Sequence, residues 1–219
     1  MRILALDAAL ARCSAAVVVD GEVLAGSHQD VARGHAAVLP VLAQAALDVA
    51  GVTPLMLDLV AVTVGPGSFT GLRAGLALAH GVALAAGIPV VGVSVGEALA
   101  EAFPHLGHRA LWSAIDSRRG RIFLERDGVV AVTGTDDLPQ PQGPVAVAGD
   151  AAIAVAAQLA ARDVDVMLTD ARMPLARHIA RVGERRHNGD LPPRPAQPIY
   201  VDPPEARLPS SGLRPAPVT

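Results

Sequence analysis

The sequence contains no lysine, a single cysteine and few aromatic residues. Without lysine, the chain can form neither a Walker-type phosphate loop nor a Schiff-base enzyme, because both need a lysine amine. One cysteine, Cys13, gives no disulfide framework, which fits a reducing cytoplasm. Aromatic residues are 2% of the chain, which argues against a base-stacking module for single-stranded nucleic acid. The net charge of -3 argues against nucleic-acid binding by the chain alone, which normally needs a basic face.

Hydrophobic residues make up 51% of the 219 residues, enough to bury a large core. The longest apolar stretch, residues 76–95, has His80 as its one titratable group. Gly81, Gly87 and Pro89 interrupt this stretch, so it predicts a helix, a turn and a strand inside the core. We therefore expect a cytoplasmic protein that does not contact a membrane.

Two halves of the chain show the same order of predicted elements. Each half opens with a strand that ends in an acid, Asp7 or Asp116, followed by two strands joined by an Asp-Gly turn, a strong hairpin signal. The first half then continues as alternating helices and strands, which is the pattern of a ribonuclease H-like half-domain. The repeated order predicts an α/β fold built by internal duplication.

Hydrophobic periodicity and turn residues give the predicted bounds of these elements. The predicted helices cover residues 34–50, 70–86, 97–103, 151–161 and 174–182. We expect an N-terminal subdomain at 1–105, a C-terminal subdomain at 106–190, and a mobile Pro-rich segment at 191–219.

The sharpest local motif is Gly65-Pro66-Gly67-Ser68-Phe69-Thr70-Gly71-Leu72-Arg73, between a predicted strand and a predicted helix. Its glycines allow a tight turn and a close approach of the backbone to a ligand or to a neighbouring strand. A helix N-terminus offers unpaired N–H groups that suit an anion, and either hydroxyl of the motif could cap the helix. The alternative is a capped turn without a ligand, which the residues alone favour.

Asp7 and Asp116 are candidates for a vestigial nucleotide site. An acid at a strand end beside a hairpin is where an actin-like fold faces phosphate and magnesium. A turn-capping aspartate is the alternative for each position, and the symmetry of the two positions favours the vestigial cleft.

Other polar residues lack the companions that catalysis or metal binding would need. His35 is followed four residues later by Leu39, so no helical pair of histidine ligands forms. Ser14 and Ser94 have no convincing histidine and aspartate companions and no nucleophile elbow. We therefore expect neither a metal site nor catalytic residues.

Several segments, in the same order, resemble the TsaB (YeaZ) family, and the match covers most of residues 1–125. The segments are Ile3-Leu4-Ala5-Leu6-Asp7, Cys13-Ser14, His35-x-x-x-Leu39-Pro40, Gly65 to Arg73 with Gly75, Pro89-Val90-Val91-Gly92-Val93-Ser94, and Ala114-Ile115-Asp116-Ser117-Arg118-Arg119-Gly120. The motif from Gly65 to Arg73 is the most specific of them, and a weaker similarity follows at residues 198–200.

The resemblance implies an actin-like ATPase (ASKHA) fold and a heterodimer with the catalytic subunit TsaD, which an ATPase, TsaE, joins. Together these proteins attach a threonylcarbamoyl group to the adenosine next to the anticodon of tRNA. The family resembles TsaD in fold but lacks its metal site, and Ser94, Val95 and Gly96 stand where the catalytic relatives have histidines. The resemblance thus implies a non-catalytic scaffold that reaches tRNA through the complex, with ATP or ADP and magnesium bound at the level of the complex.

In the family, the first two helices make contacts with the partner and with a second copy, which implies that this chain also forms a homodimer. The small residues there would equally allow packing on the chain's own sheet. The residues that this implies for the interface are His35, Leu39, Ala74, Leu78, Gly81 and Val82.

Three departures from the family pattern weaken any expectation that this chain binds or hydrolyses ATP. They are Ala8 in place of a threonine, Arg121 in place of an acid, and Tyr200-Val201-Asp202 in place of Tyr-Leu-Arg. Two other functions remain open: an autonomous glycoprotease-like peptidase or small actin-like phosphotransferase, and a homodimeric structural protein without a tRNA role.

Overall fold

The structure, a computed structural model, describes residues 1–201. Within them the chain forms ten strands and five α-helices, in the order that the sequence predicts. The strands are β1 (Arg2–Leu10), β2 (Arg12–Val19), β3 (Glu22–Asp30), β4 (Leu59–Gly65), β5 (Val90–Ser94), β6 (Ala110–Asp116), β7 (Ile122–Arg126), β8 (Val129–Thr133), β9 (Val145–Ala148) and β10 (Val166–Leu168). The helices are α1 (His35–Ala50), α2 (Phe69–Ala86), α3 (Val95–Ala100), α4 (Ala152–Ala160) and α5 (Ala176–His187).

The strands form two five-stranded mixed sheets with the same topology. The first sheet has the order β3-β2-β1-β4-β5, and the second, read from its β8 edge, has the order β8-β7-β6-β9-β10. In each sheet the first three strands pair antiparallel and the last two join in parallel. The predicted α/β fold and its internal duplication are therefore confirmed.

The two Asp-Gly turns explain why both halves open alike. Asp20 and Gly21 have φ angles of 49° and 83°, and Asp127 and Gly128 have φ angles of 51° and 76°. Two successive residues in the left-handed region are the mark of a type I′ turn, whose twist matches that of the flanking strands.

Helices cover both faces of the first sheet. Successive side chains of β1 point to opposite faces, so they enter two different cores. Leu4 and Leu6 point to the core beneath α1 and α2, whereas Ile3 packs with Ile179 of α5 in the core of the opposite face. Helix α5, which the predicted boundary at 190 assigns to the second subdomain, thus packs on the first sheet. The division of the chain at 105 and 190 stays a prediction.

Helix α5 ends five residues later than predicted. Gly183 suggests a helix end in the sequence, but in the structure it lies inside α5, facing β4. A Cβ atom at this position would come closer than 3.0 Å to the side chain of Ala61. The glycine is therefore a site of close helix–sheet packing instead of a helix end.

Residues 191–201 cross the edge of the first sheet and carry fixed hydrogen bonds. The amide of Gly92 donates to the carbonyl of Arg194 at 3.0 Å, and the amide of Ile199 donates to the carbonyl of Val64 at 2.8 Å. The mobility of residues 191–219 stays a prediction. The part of that segment from residue 202 to 219 lies outside the described residues.

Helix α2 is long and apolar enough, by length and composition, to cross a membrane. In the structure one of its faces packs on β1 and β4, with Leu72, Leu76 and Ala79 buried. The other face is exposed, and the stretch 76–95 divides as predicted into a helix, a turn at Gly87 and strand β5.

Candidate functional site

The motif loop from Gly65 to Arg73 joins β4 to α2 and packs against β1. Ser68 is the N-cap of α2, and its side chain accepts a hydrogen bond from the amide of Gly71 at 3.2 Å. The amide of Ser68 donates to the carbonyl of Ala9 at 2.7 Å. Thr70, the alternative cap in the sequence, is exposed.

Two glycines of the loop allow the backbone of this turn to lie directly on β1. A Cβ atom at Gly67 would come closer than 3.0 Å to the carbonyl oxygen of Ala9, and one at Gly71 would do the same to the carbonyl oxygen of Ala8. The amides of Ser68 and Gly71 are already bonded to the chain's own strand and cap. This geometry favours the capped turn over an anion-binding loop.

The outer side of the loop carries an exposed aromatic and cationic cluster. The Arg73 guanidinium lies 3.6 Å from the centre of the Phe69 ring, and its Nη2 donates to the Tyr200 hydroxyl at 3.1 Å. Phe69 is 57% exposed and Tyr200 60% exposed. Gly65 and Pro66, joined by a cis peptide bond, are buried. The sequence signal for Tyr200 was only the weak family similarity at residues 198–200.

Asp7 is fully buried in the middle of the first sheet. Its Oδ1 accepts hydrogen bonds from Thr63 Oγ1 at 2.7 Å and from the amide of Ala9 at 3.0 Å, while its Oδ2 has no hydrogen-bond partner within the described chain. Burial raises the pKa of Asp7 to about 6, against the lowering effect of these two hydrogen bonds. A carboxylate enclosed in this way is not presented to solvent or to an open cleft.

Asp116 has a different environment from Asp7. It accepts hydrogen bonds from the amide and the guanidinium of Arg118 at 2.7 and 3.2 Å. Its own amide donates to Asp150 at 2.8 Å, and Arg118 bridges to the same Asp150 at 2.9 Å. Burial raises the pKa of Asp150. The contacts of Asp7 and Asp116 have no residue in common, so the role of the two acids in a shared vestigial cleft stays a prediction.

Two of the residues that the resemblance implies for a partner interface lie inside the protein. His35 is 6% exposed and its Nε2 lies 2.8 Å from the carbonyl oxygen of Leu10. Leu39 is fully buried in the core beneath α1. This placement corrects the expectation that both residues contact a partner. His35 and Leu39 are four residues apart, so they lie on the same side of α1, and that side faces the sheet.

The remaining implied interface residues lie on α2. Ala74, Leu78 and Val82 are half-buried, and Gly81 is exposed with open space where a side chain would stand. Leu78 and Val82 pack against the edge of the core. These four residues stay a prediction for the interface.

The outer sides of α1 and α2 carry exposed large apolar side chains, which the sequence did not assign to the surface. Val41 and Val49 on α1 are 66% and 76% exposed, and Leu84 on α2 is 85% exposed. Helices α1 and α2 contact one another, and we call their outer sides together, with these side chains, the α1–α2 face. Their helical spacing was the only available signal, and it resembles the spacing of core positions.

A buried carboxylate of the second sheet bonds to the end of the first sheet. Glu125 of β7 accepts hydrogen bonds from Ser94 Oγ at 2.6 Å and from the amide of Gly96 at 3.0 Å. A Cβ atom at Gly96 would come closer than 3.0 Å to this carboxylate. Burial raises the pKa of Glu125, and the hydrogen bonds oppose this effect. Nothing in the local sequence around Glu125 indicated this long-range contact.

Across residues 1–201, no group of three or more histidine, cysteine, aspartate and glutamate side chains comes together in a geometry that could hold a metal ion. The fold and this site define an actin-like α/β protein with two ribonuclease H-type halves, in which the most specific motif forms a packed turn.

The comparisons with known proteins agree with that class. The family model described as "TsaD: tRNA N6-adenosine threonylcarbamoyltransferase" matches residues 28–182. The chain belongs to the TsaB (YeaZ) family and carries a TsaD-type domain.

Curated relatives share about a third or more of the aligned residues. The chain is 38% identical over 125 residues to the tRNA threonylcarbamoyladenosine biosynthesis protein TsaB of Escherichia coli, and the alignment covers 56% of this chain and 53% of the relative. It is 36% identical over 146 residues to the tRNA N6-adenosine threonylcarbamoyltransferase of Ruegeria pomeroyi, and that alignment covers 55% of this chain and 38% of the relative. The matched part thus spans about half or less of each relative.

Solved structures match over nearly the whole chain. YeaZ from Pseudomonas aeruginosa superposes with a TM-score of 0.72 at 26% identity, covering 91% of this chain and 99% of that one. A second Pseudomonas aeruginosa structure, of a protein with similarity to peptidase YEAZ, gives a TM-score of 0.74 at 25% identity, covering 92% and 99%. Component A of the (R)-2-hydroxyglutaryl-CoA dehydratase of Acidaminococcus fermentans has a TM-score of 0.53 at 9% identity, covering 86% and 99%, and this shows the fold alone.

Proposed function

We propose that this chain is a non-catalytic scaffold subunit, which binds a TsaD-type catalytic subunit in the threonylcarbamoyladenosine modification of tRNA. The name of the Escherichia coli relative supports the pathway. The observation that carries the scaffold role is the α1–α2 face, where large apolar side chains are exposed beside small ones.

The α1–α2 face has the character of a helix-packing surface. Leu84, 85% exposed, lies beside the exposed residues Gly81 and Ala85 on α2. Small residues let a second helix approach closely, and burial of each large apolar side chain contributes about 1.5–3 kcal/mol. Exposed apolar side chains on two neighbouring helices supply the kind of surface that protein–protein contacts use.

The position where catalytic relatives have histidines is occupied by an internal hydrogen-bonded cluster. Ser94 and Gly96 both donate to the buried carboxylate of Glu125, which would have to move if a Cβ atom were added at Gly96. This arrangement supports a structural use of the site. ATP or ADP, magnesium and the TsaE-type ATPase belong, in this proposal, to the complex as a whole.

The α1–α2 face gives the test of this function. Leu84→Glu places a charge on the most exposed large apolar side chain of the face, and we expect binding to the catalytic subunit of the same organism to weaken about 30-fold or more, as at an interface hot spot worth about 2 kcal/mol. The matched control is Ile153→Glu on α4, because Ile153 is also exposed, at 62%. Co-elution and calorimetric titration of the purified pair measure the effect.

The corresponding cellular measurement is the modified-nucleoside profile of total tRNA after depletion of this chain. We expect threonylcarbamoyladenosine to be lost, and to be restored by the wild-type chain and by Ile153→Glu but not by Leu84→Glu. An unchanged profile after depletion would contradict the proposal. So would a Leu84→Glu chain that changes only self-association, since the face would then serve a homodimer without a tRNA role.

A further inference from the structure

Arginine side chains are concentrated on α5 although the whole chain has a net charge of -3. Four of the 18 basic residues, all of them arginine, lie within the 12 residues of this helix. Arg177, Arg181 and Arg185 are exposed, and their spacing of four residues places them on one side of the helix, about 6 Å apart along its axis. The opposite side packs on the first sheet through Ile179 and its neighbours.

This row of arginines leads into a cleft at the N-terminal end of α5. The cleft has a volume of about 520 Å³, and its walls include Arg12, Arg172 and Arg177, together with Phe103 and Met173. Cavities that take small ligands are typically about 300–1,000 Å³. We call the cleft and the outer row of α5 together the arginine surface.

Arg177 is held in place by a neutral histidine. Its Nε donates to Nε2 of His178 at 3.2 Å. Burial, together with the nearby charges of Arg177 and Arg181, lowers the pKa of His178 to about 4, so the ring is neutral at physiological pH and can accept this bond. The terminal nitrogens of Arg177 form no hydrogen bond within residues 1–201, which leaves the planar end of the guanidinium for a ligand.

Acidic groups around this surface neutralise only part of its charge. Arg12 pairs with Asp30 at 2.7 Å, and Arg185 pairs with Glu101 at 3.4 Å. Asp170 is the one acid on the walls of the cleft.

Three arginines keep their charge without a carboxylate partner within residues 1–201. Arg172 donates to the carbonyl of Thr169, and neither Arg177 nor Arg181 takes part in an ion pair there. The hydrogen bond to Asp20 raises the pKa of the Met1 ammonium group most, and Glu184, the acid of α5 itself, adds a smaller contribution through its charge.

We propose that the arginine surface binds the phosphate groups of RNA, with Arg172 and Arg177 at the cleft and Arg181 along α5. A guanidinium binds phosphate through two parallel N–H bonds. The length of the row along the helix fits an extended polyanion better than a single nucleotide. This inference rests on the proposed function, since tRNA is the RNA that the complex would modify.

The test compares tRNA binding by the complex of this chain with its catalytic subunit, carrying either the wild-type chain or Arg177→Gln/Arg181→Gln. The probe is a labelled, unmodified tRNA transcript, titrated at several salt concentrations. Each lost phosphate contact lowers the slope of log affinity against log salt by about 0.7–0.9, so two lost contacts lower it by about 1.4–1.8. With equal affinity extrapolated to 1 M salt, this corresponds to about 25- to 60-fold weaker binding at 0.1 M salt.

A matched control is Arg33→Gln, because Arg33 is exposed and lies between β3 and α1. We expect the control to bind tRNA like the wild type. Equal slopes for the double variant and the wild type would overturn the inference, and so would a loss that Arg33→Gln reproduces.

Competition with other anions distinguishes the possible ligands. We expect inorganic phosphate and ATP at millimolar concentration to displace tRNA weakly, through charge alone. Strong displacement by ATP would make the cleft a mononucleotide site, and displacement by a poly-glutamate peptide as effective as by unlabelled tRNA would make it a site for an acidic protein segment. Either result would overturn the proposal.

Co-elution separates this inference from the proposed function. We expect the double variant to co-elute with the catalytic subunit as the wild type does, since Arg177 and Arg181 are remote in sequence from α1 and α2 and lie outside the α1–α2 face. If the wild-type chain fails to co-elute, the proposed function fails. If both chains co-elute and bind tRNA alike, only the arginine surface fails.

Discussion

Replacement of Gly71 by alanine tests whether close packing is what requires glycine in the motif loop. Gly71 lies in the first turn of α2, and an added methyl group would overlap the backbone carbonyl of Ala8, closer than the 3.0 Å that real Cβ atoms keep. Because the obstacle is backbone of a central strand, β1 or α2 must move. Overpacking of this kind costs typically about 1–3 kcal/mol, and we expect the upper part of that range.

The same helix supplies the control, because Gly81 is exposed and has nothing within 4 Å of the added carbon. Gly81→Ala should stabilise the protein by about 0.5–1 kcal/mol, through the higher helix propensity of alanine. For a chain of this size, about 1 kcal/mol shifts Tm by about 2–4 °C. Gly71→Ala should therefore lower Tm by about 6–12 °C at a cost of about 3 kcal/mol, and Gly81→Ala should raise it slightly.

Thermal and urea unfolding of the isolated chain, at a concentration where sedimentation shows monomer, measure both variants. If Gly71→Ala is as stable as the wild type, the close contact of α2 with β1 is not what the glycine is needed for. If the Gly71→Ala chain is stable but no longer binds its partner or an anion, the loop has a binding function.

Two further predictions concern residues that the sequence associated with function. Burial raises the pKa of Asp7 to about 6, above its value in the unfolded chain, so the contribution of this group to stability is complete below pH 4 and is lost as the pH rises through 6. The difference in unfolding free energy between the wild type and Asp7→Asn should therefore change by about 3 kcal/mol between pH 4 and 7.5, and a pH-independent difference in urea unfolding would contradict the burial of this acid. His35→Ala should lower the free energy of unfolding by about 2 kcal/mol, through the lost bond to Leu10 and the cavity, while the remaining folded protein still co-elutes with the catalytic subunit. If His35→Ala instead fails to bind the catalytic subunit while its stability is unchanged, His35 is an interface residue and the prediction is wrong.

The element order and the fold class were accessible from the sequence because they depend on local patterns. Asp20-Gly21 and Asp127-Gly128 specify type I′ turns by their own backbone preferences. The apolar runs between turn residues then define strands and helices without reference to distant parts of the chain. The sequence placed the end of the last helix at residue 182, just before Gly183, because a glycine can end a helix or admit a close neighbour, and only the neighbour, Ala61, decides which.

The candidate site was less accessible because its residues are brought together over long distances in the chain. Glu125 bonds to Ser94 and Gly96 across 31 and 29 residues, and Arg73 bonds to Tyr200 across 127 residues. No periodicity or motif encodes such pairs. A helix has one inner and one outer face, and the sequence alone did not assign His35 and Leu39 to the inner face of α1. Only the position of the helix on the sheet does so.

The sequence by itself determined two repeated halves, their turns and the family motif, because backbone preferences and hydrophobic periods act within a few residues. Tertiary structure decided which faces are buried, that α5 covers the first sheet, and that its arginines share one side with a cleft. Burial and electrostatic potential are sums over groups distant in sequence, so the net charge of -3 gave no sign of a basic surface that only the packed chain assembles.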